Sequence, residues 1–366
     1  MPTSTQLLAA AAENNESAID TIATPTLWFV TIGVVIGLLV MDFVLTRKPH
    51  EVSIREATGW SIFYIALPLA FGVYIWTQYG GERGVEYYTG YLVEKSLSVD
   101  NLFVFMLLLA AFAVPKELQQ RVLLYGIVGA LVLRGIFIAL GAAALSAFDW
   151  VFLVFGLVLV ATAVKILRDT VQGTGHEIDI ESMRVVKLAR KVYPVSSEYD
   201  GPRMTTRIDG RKALTPFALV VLAVFATDIV FAIDSVPAVY GITGDPYLVF
   251  ATNAFALLGL RALYFVLENL LSKLVHLGYG LAIILAFIGI KLGLHWGHLQ
   301  NDAVPEIPTL WSLFFVLGTL LVVTATSIVA SRRAEASGHP LHNTDVEVGP
   351  DGETLTQHAL RHPEER

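Results

Sequence analysis

The stretch FATDIVFAIDSVP, residues 225–237, places two carboxylates, Asp228 and Asp234, inside an apolar run that extends over 217–242. A run of that length can cross a bilayer, which takes about 20 helical residues. An ionised aspartate at mid-bilayer costs on the order of 3 kcal/mol on insertion scales, so a pair within one span points to a site that binds or moves something positive. Ser235 follows, then Pro237, whose missing N–H frees the carbonyl of Ile233 beside Asp234. Carboxylate, hydroxyl and freed carbonyl together offer oxygen ligands at one depth.

The same pattern stands earlier, in GYLVEKSLSVDNLFVF, residues 90–105, where Glu94 and Asp100 are also six apart and the second acid is again followed by a small polar residue, Asn101. A shift of 134 residues superimposes the two motifs; Arg134 in LVLRGIF answers Arg261 in LGLRALY at 127, and Lys165 in LVATAVKIL answers Lys291 in ILAFIGIKLG at 126. Charges at matched places in three successive spans predict a duplication, the third to fifth spans against the sixth to eighth. An odd number of spans separates the copies, so the repeat is expected to be inverted, about an axis in the membrane plane.

Composition bounds the class. The 366 residues are 55% hydrophobic and 16% charged, with a mean hydropathy of +0.62, whereas a soluble domain carries about 25% charged residues. The fold expected is all-α, a polytopic membrane bundle of about nine transmembrane helices. There is no cysteine, and the nine histidines fall in loops, tails or span ends. The interior thus offers oxygen ligands, which favour hard divalent cations such as Mn, Mg or Ca.

In chain order, residues 1–25 hold three acids and no Lys or Arg and read as an extracytoplasmic tail, not a signal peptide. A transmembrane domain is expected over 26–331, with spans near 26–45, 60–79, 87–112, 120–146, 150–167, 215–242, 247–271, 275–296 and 308–330. Residues 169–214 form a cytoplasmic insert read as a solvated connector. Within it, Met183, Val186, Ala189 and Tyr193 recur at helical spacing among Arg and Lys, suiting a surface helix. TTRIDGRKAL reads as a hairpin on an Asp209-Gly210 turn. Residues 332–366 read as a disordered cytoplasmic tail. Nineteen Lys and Arg fall in loops and tail on one side against Arg83 alone on the other, so the amino end is expected outside and the carboxyl end in the cytoplasm.

The metal-binding set expected is Glu94, Asp100, Asn101, Asp228, Asp234 and Ser235, with Lys95, Arg134 and Arg261 balancing charge and Asp42 in the first span as a further acid. Six residues turn a helix by about 120° net, so one straight helix cannot aim both of its acids at one ion. Inverted symmetry would pair Glu94 with Asp234 and Asp100 with Asp228, with Arg134 and Arg261 flanking them. A closed ion-pair network that only locks helices is the rival arrangement. Lys165 and Lys291 read as snorkelling residues, and His295 and His298 as interfacial polar residues before metal ligands.

The motifs around Glu94, Asp100, Asp228 and Asp234, with AVPKELQQRVLLYG and TNAFALLGLRALYF, resemble the TerC family of integral membrane proteins, named for tellurium resistance. The resemblance covers about 60–330 and implies a transporter of the larger lysine-exporter type, with Mn efflux through the four acids. Many relatives carry Glu three residues before the first Asp of the second motif, where this chain has Phe225. The function expected is a secondary exporter of a hard divalent cation, most often Mn2+, in a bacterial inner membrane, possible exchange being with protons. The alternatives are a non-transporting scaffold for metal loading or insertion of secreted proteins, or a tellurium-resistance complex. No nucleophile motif or phosphate loop accompanies the acids, so no enzyme is expected. No tightly bound cofactor and no nucleic-acid partner are expected; the partners are the lipid bilayer and the divalent ion.

Overall fold

The computed structural model describes residues 21–45, 53–172, 183–196, 198–208, 211–267 and 276–336. Most of the amino-terminal tail, the Asp209-Gly210 turn, Lys273 and the tail beyond 336 lie outside the described residues. The chain folds as α1 (Pro25–Leu45), α2 (Ile54–Tyr79), α3 (Gly81–Ala111), α4 (Lys116–Ala147) and α5 (Trp150–Gln172), followed by a short α6 (Arg184–Val192). A hairpin of β1 (Thr205–Ile208) and β2 (Arg211–Leu214) leads into α7 (Pro216–Tyr240), α8 (Pro246–Leu258), α9 (Leu260–Leu267), α10 (Leu277–Gln300) and α11 (Thr309–Ala336).

The result is a polytopic helical bundle. Among the described residues seven helices are long and apolar enough to cross a membrane, and α8 with α9, bent by 40°, make an eighth if the pair is one broken span. The expected count of nine adds α3, which is long enough but carries Glu82, Arg83, Glu86, Glu94, Lys95 and Asp100. α3 begins six residues before the expected span because Gly80, at φ 93, ends α2 and starts α3 in one turn. Apolar side chains cover the outside, among them Phe29 and Val40 on α1 and Trp311 and Leu321 on α11, each more than half exposed. A continuous coat of that kind suits lipid rather than water.

Glycine sets how closely the helices approach. A Cβ on Gly156 of α5 would stand 2.7 Å from the Gly289 carbonyl oxygen of α10, and these two helices form the most extended pairing of the bundle. Gly126 and Gly129 of α4 admit Val224 and Phe225 of α7 in the same way. α3 runs through the middle, against α2, α7, α8 and α11.

Two sets of loops gather at the two ends of α3, which at 1.5 Å per residue lie about 45 Å apart. At one end Asp245 caps α8 through the Tyr247 N–H and accepts hydrogen bonds from Thr21 Oγ1 (2.7 Å) and the Ile22 N–H (2.8 Å). Beside it Glu86 accepts from Arg83 (2.9 Å) and Thr243 (2.8 Å). The end of the amino-terminal tail is thus tied to the bundle.

At the other end lies the insert. β1 and β2 pair antiparallel with Ile208 opposite Arg211, so the two strands of the expected hairpin are present. The insert is more than a solvated connector, however. Met183, Val186, Ala189, Val195 and Leu214 join an apolar cluster with Phe112, Leu118 and Phe217, and Tyr199 donates to the Phe112 carbonyl at 2.8 Å. Burial raises the Tyr199 phenol well above the ordinary tyrosine range, so it remains a donor at neutral pH. The apolar residues spaced among the basic ones decide this: they face the helix ends and leave Lys187, Arg190 and Lys191 exposed. α11 also continues to Ala336, five residues into the stretch expected to be disordered.

Candidate cation site

Four helices bring polar groups to one buried point. Arg134 of α4 is 1% exposed, Glu94 of α3 0% and Asp228 of α7 1%. Arg134 Nη1 donates to Glu94 Oε1, and Nη2 to Asp228 Oδ1 at 3.2 Å. Nη1 also reaches Asn253 Oδ1 of α8 at 3.5 Å. With the Asn101 amide turned so that its nitrogen donates to the Leu97 carbonyl (3.0 Å), its oxygen accepts from Arg134 Nη2 at 3.1 Å. The planar guanidinium, with five donors in a fixed fork, suits this multiple role.

The site is not fully satisfied. Glu94 Oε2, Asp228 Oδ2, Asn253 Nδ2 and Arg134 Nε are buried with no hydrogen-bond partner among the described residues, and so are Ser98 Oγ and Ser235 Oγ. Two carboxylates face one guanidinium, which leaves one net negative charge. Buried polar atoms are ordinarily bonded, so unbonded carboxylate oxygens beside an excess of acid make this the candidate site.

The expected pairing needs correction. Glu94 shares its arginine with Asp228, not with Asp234. Asp234 is half-buried and accepts from Thr162 Oγ1 of α5 at 2.7 Å. Asp100, also half-buried, makes no hydrogen bond or ion pair among the described residues. The cause is helix rotation: the second acid of each motif is turned by about 120° from the first, so only the first faces the centre.

The second arginine lies elsewhere too. Arg261 of α9 donates from Nη2 to Asp42 Oδ1 (2.8 Å), from Nε to Asp42 Oδ2 (3.3 Å) and from Nη1 to Gln120 Oε1 (3.1 Å). Tyr64 donates to the same Asp42 at 2.9 Å. Arg261 therefore joins α9 to α1 and α4 instead of flanking the central acids, and Asp42 is its partner. Lys95 turns away from Glu94 and donates to the Ala256 carbonyl at 3.3 Å, beside the α8–α9 break at Gly259. Its ammonium meets a helix-end carbonyl, not a carboxylate.

One further expectation differs. Lys291 is only 8% exposed and lines a cavity of about 930 Å³, so it does not snorkel to the surface. His295 Nδ1 lies 2.6 Å from Glu306 Oε1 and His298 Nδ1 2.8 Å from the Val304 carbonyl; the two rings clip the α10–α11 turn. Among the described residues no group of three His, Asp or Glu is placed to hold a metal. Sequence reasoning passed over Asn253 and Thr162, polar residues inside apolar runs, and Gln120, which stands between Gln119 and Arg121 in the first turns of α4. Phe225 lies with its ring against Gly129, filling the α4–α7 contact where relatives are expected to carry Glu.

The chain belongs to the integral membrane protein TerC family, which it matches over residues 79–335. It is 40% identical over 322 residues to an uncharacterized membrane protein of Mycobacterium tuberculosis, covering 85% of this chain and 81% of that one. An uncharacterized membrane protein of Myxococcus xanthus is 40% identical over 317 residues, with 86% and 96% covered. A protein of Escherichia coli named as a candidate membrane-bound redox modulator, Alx, is 39% identical over 285 residues, covering 75% and 87%. No solved structure matches the chain.

Proposed function

We propose that the protein is a secondary carrier that exports a hard divalent cation, Mn2+ first among them, from the cytoplasm across the bacterial inner membrane in exchange for protons. The observation that supports this is the central cluster: two buried carboxylates in excess over one guanidinium, with Glu94 Oε2 and Asp228 Oδ2 unpartnered among the described residues. Both atoms are hard oxygen donors of the kind such ions prefer. An arginine does not deprotonate in proteins, so Arg134 serves as the resident cation. It holds Glu94 and Asp228 in the ion-free carrier and yields them when the transported ion arrives.

Asp100 and Asp234, six residues on and about 120° round from the central acids on the same two helices, are the next carboxylates along α3 and α7. The broken α8–α9 pair beside the site is the kind of discontinuous helix on which many carriers move. Nothing in this arrangement calls for a nucleophile, and we read the protein as a carrier, not an enzyme. A thiol-based redox role, which the Alx name would invite, is closed to a chain without cysteine.

One observation favours a second reading. Arg134 bound to two acids and Arg261 bound to Asp42 are also what a static scaffold would need to lock its helices. Proteoliposomes decide between the two. Carrier function requires Mn2+ flux dependent on a pH gradient and lost in Asp228→Asn while the variant stays monodisperse. A wild-type protein that moves no Mn2+ under either gradient would leave the scaffold.

A further inference from the structure

One face of the insert has no cover among the described residues. α6 packs on α7, and its Val185, Val186 and Ala189 join the apolar cluster that holds Phe217, Leu219 and Val220 of the first turns of α7. α7 has 25 residues and runs about 37 Å at 1.5 Å per residue, against about 30 Å of hydrocarbon in a bilayer. Its first turns therefore stand at the headgroup level. α6 lies there with them, not out in the aqueous phase.

At about 100° per residue the surface of α6 divides into three sectors. Val185, Ala189 and Val186 face the bundle. Arg190, Lys187 and Lys191 follow at about 40–140° round from Val186, all exposed, and their side chains make no hydrogen bond or ion pair among the described residues. Leu188 and Val192, one turn apart, fill the rest at about 200–240°, and they are 62% and 61% exposed. Over 183–214 the sequence carries eight Lys or Arg against three acids, so the insert presents a positive field beside this apolar stripe. Two side chains fall far short of the roughly 800 Å² per partner that a stable protein interface buries. They suit the boundary of a bilayer that already begins at this level.

We infer that α6 seats the insert on anionic phospholipid: Leu188 and Val192 enter the acyl boundary of the adjacent leaflet, and Lys187, Arg190 and Lys191 bind the phosphates of its anionic headgroups. A helix in the interface plane buries its apolar stripe in this way, and the long basic stems reach the headgroups from the neighbouring sector. By the bias of basic loops the leaflet is the cytoplasmic one, which carries the anionic lipid, and each basic residue near it favours contact by about fivefold. The insert also holds the α3–α4 turn through Tyr199 and the Phe112 carbonyl. Headgroup charge is thus transmitted to the end of the helix that carries Glu94, whether or not the protein carries an ion.

The test uses the absence of cysteine. A nitroxide on Val192→Cys, in full-length protein in nanodiscs of phosphatidylcholine with or without phosphatidylglycerol, is relaxed by oxygen where it is immersed in lipid and by an uncharged nickel chelate where it meets water. Relaxation by oxygen is expected to dominate, with the oxygen-to-nickel ratio roughly fivefold or more higher when phosphatidylglycerol is present. Leu188→Cys takes the place of Val192→Cys should that variant not fold, and Glu198→Cys, exposed on the same insert, is expected to stay open to nickel in both lipids. Replacing Lys187, Arg190 and Lys191 together by Gln removes the lipid dependence, and inorganic phosphate added to phosphatidylcholine discs does not reproduce it. A ratio that is the same in both lipids overturns the inference, whether the label stands in water or in lipid, and so does a lipid dependence that survives the triple variant or is matched by phosphate. A label shielded from both oxygen and nickel overturns it too, because a second copy or another protein then covers the face.

Discussion

Arg134 is the residue on which the centre depends, because it is the shared partner of Glu94 and Asp228 and nothing else described is placed to take them. Removing one partner of a buried ion pair leaves uncompensated charge and costs about 3–5 kcal/mol. Arg134→Met should therefore lower the thermal midpoint in detergent sharply, and adding Glu94→Gln should recover part of the loss. Equal midpoints in the single and double variants would mean that the two groups do not share a site. Arg134→Lys should not rescue, since an ammonium cannot span two carboxylates as a planar fork does. Glu94, Asp228 and Arg134 were legible in the sequence because a charge in an apolar run asks for an explanation. Their pairing was not: it depends on how α3 and α7 are rotated about their axes, and the inverted symmetry used to guess it matched the acids by depth and left open which of them faces the centre. Asn253 was illegible for a different reason, being an uncharged amide that apolar runs tolerate without comment.

Helices as units are positioned by glycine and by the insert. Gly156 and Gly289 bring α5 and α10 to backbone contact, whereas a Cβ on Gly318 of α11 would meet nothing within 4 Å. Gly156→Leu should abolish most folded protein by size-exclusion yield, because overpacking a tight contact costs roughly 1–3 kcal/mol even where relaxation is easy, and a backbone carbonyl cannot move aside. Gly318→Leu should fold normally. If both express alike, the close crossing of α5 and α10 is not needed for folding. The insert makes a milder prediction. Tyr199→Phe removes the hydrogen bond to the Phe112 carbonyl, worth about 1 kcal/mol, and should speed tryptic cleavage at Lys187, Arg190 or Lys191 several-fold while the rest of the bundle resists. The hairpin and the amphipathic helix could be foreseen from turn chemistry and spacing. Their docking could not, since a 3.6-residue pattern with basic residues between suits a membrane surface and a protein surface equally.

For the whole molecule, the sidedness of the loops is the quantity that both the sequence and the packing address. The sequence assigns the α2–α3, α4–α5, α7–α8 and α10–α11 connections to one side because Arg83 is the one basic residue counted there. In the fold, Arg83, Thr243 and Glu306, from three of those four connections, stand at one end around Glu86 and the cavity, and Thr21 reaches the same end through Asp245. Tyr199 of the insert and Phe112 of the α3–α4 turn stand at the other. α3 packs on α8 and α4 on α7. These contacts relate the loops to one another; the charge bias supplies the absolute direction, because basic loops stay in the cytoplasm. The chain has no cysteine, so single cysteines report without background. In intact cells an impermeant maleimide should label Asp149→Cys and Asp302→Cys and spare Glu198→Cys and Lys116→Cys until the membrane is opened. Labelling of the second pair with the first pair spared would reverse the orientation, and the Asp245 end of the bundle would then face the cytoplasm.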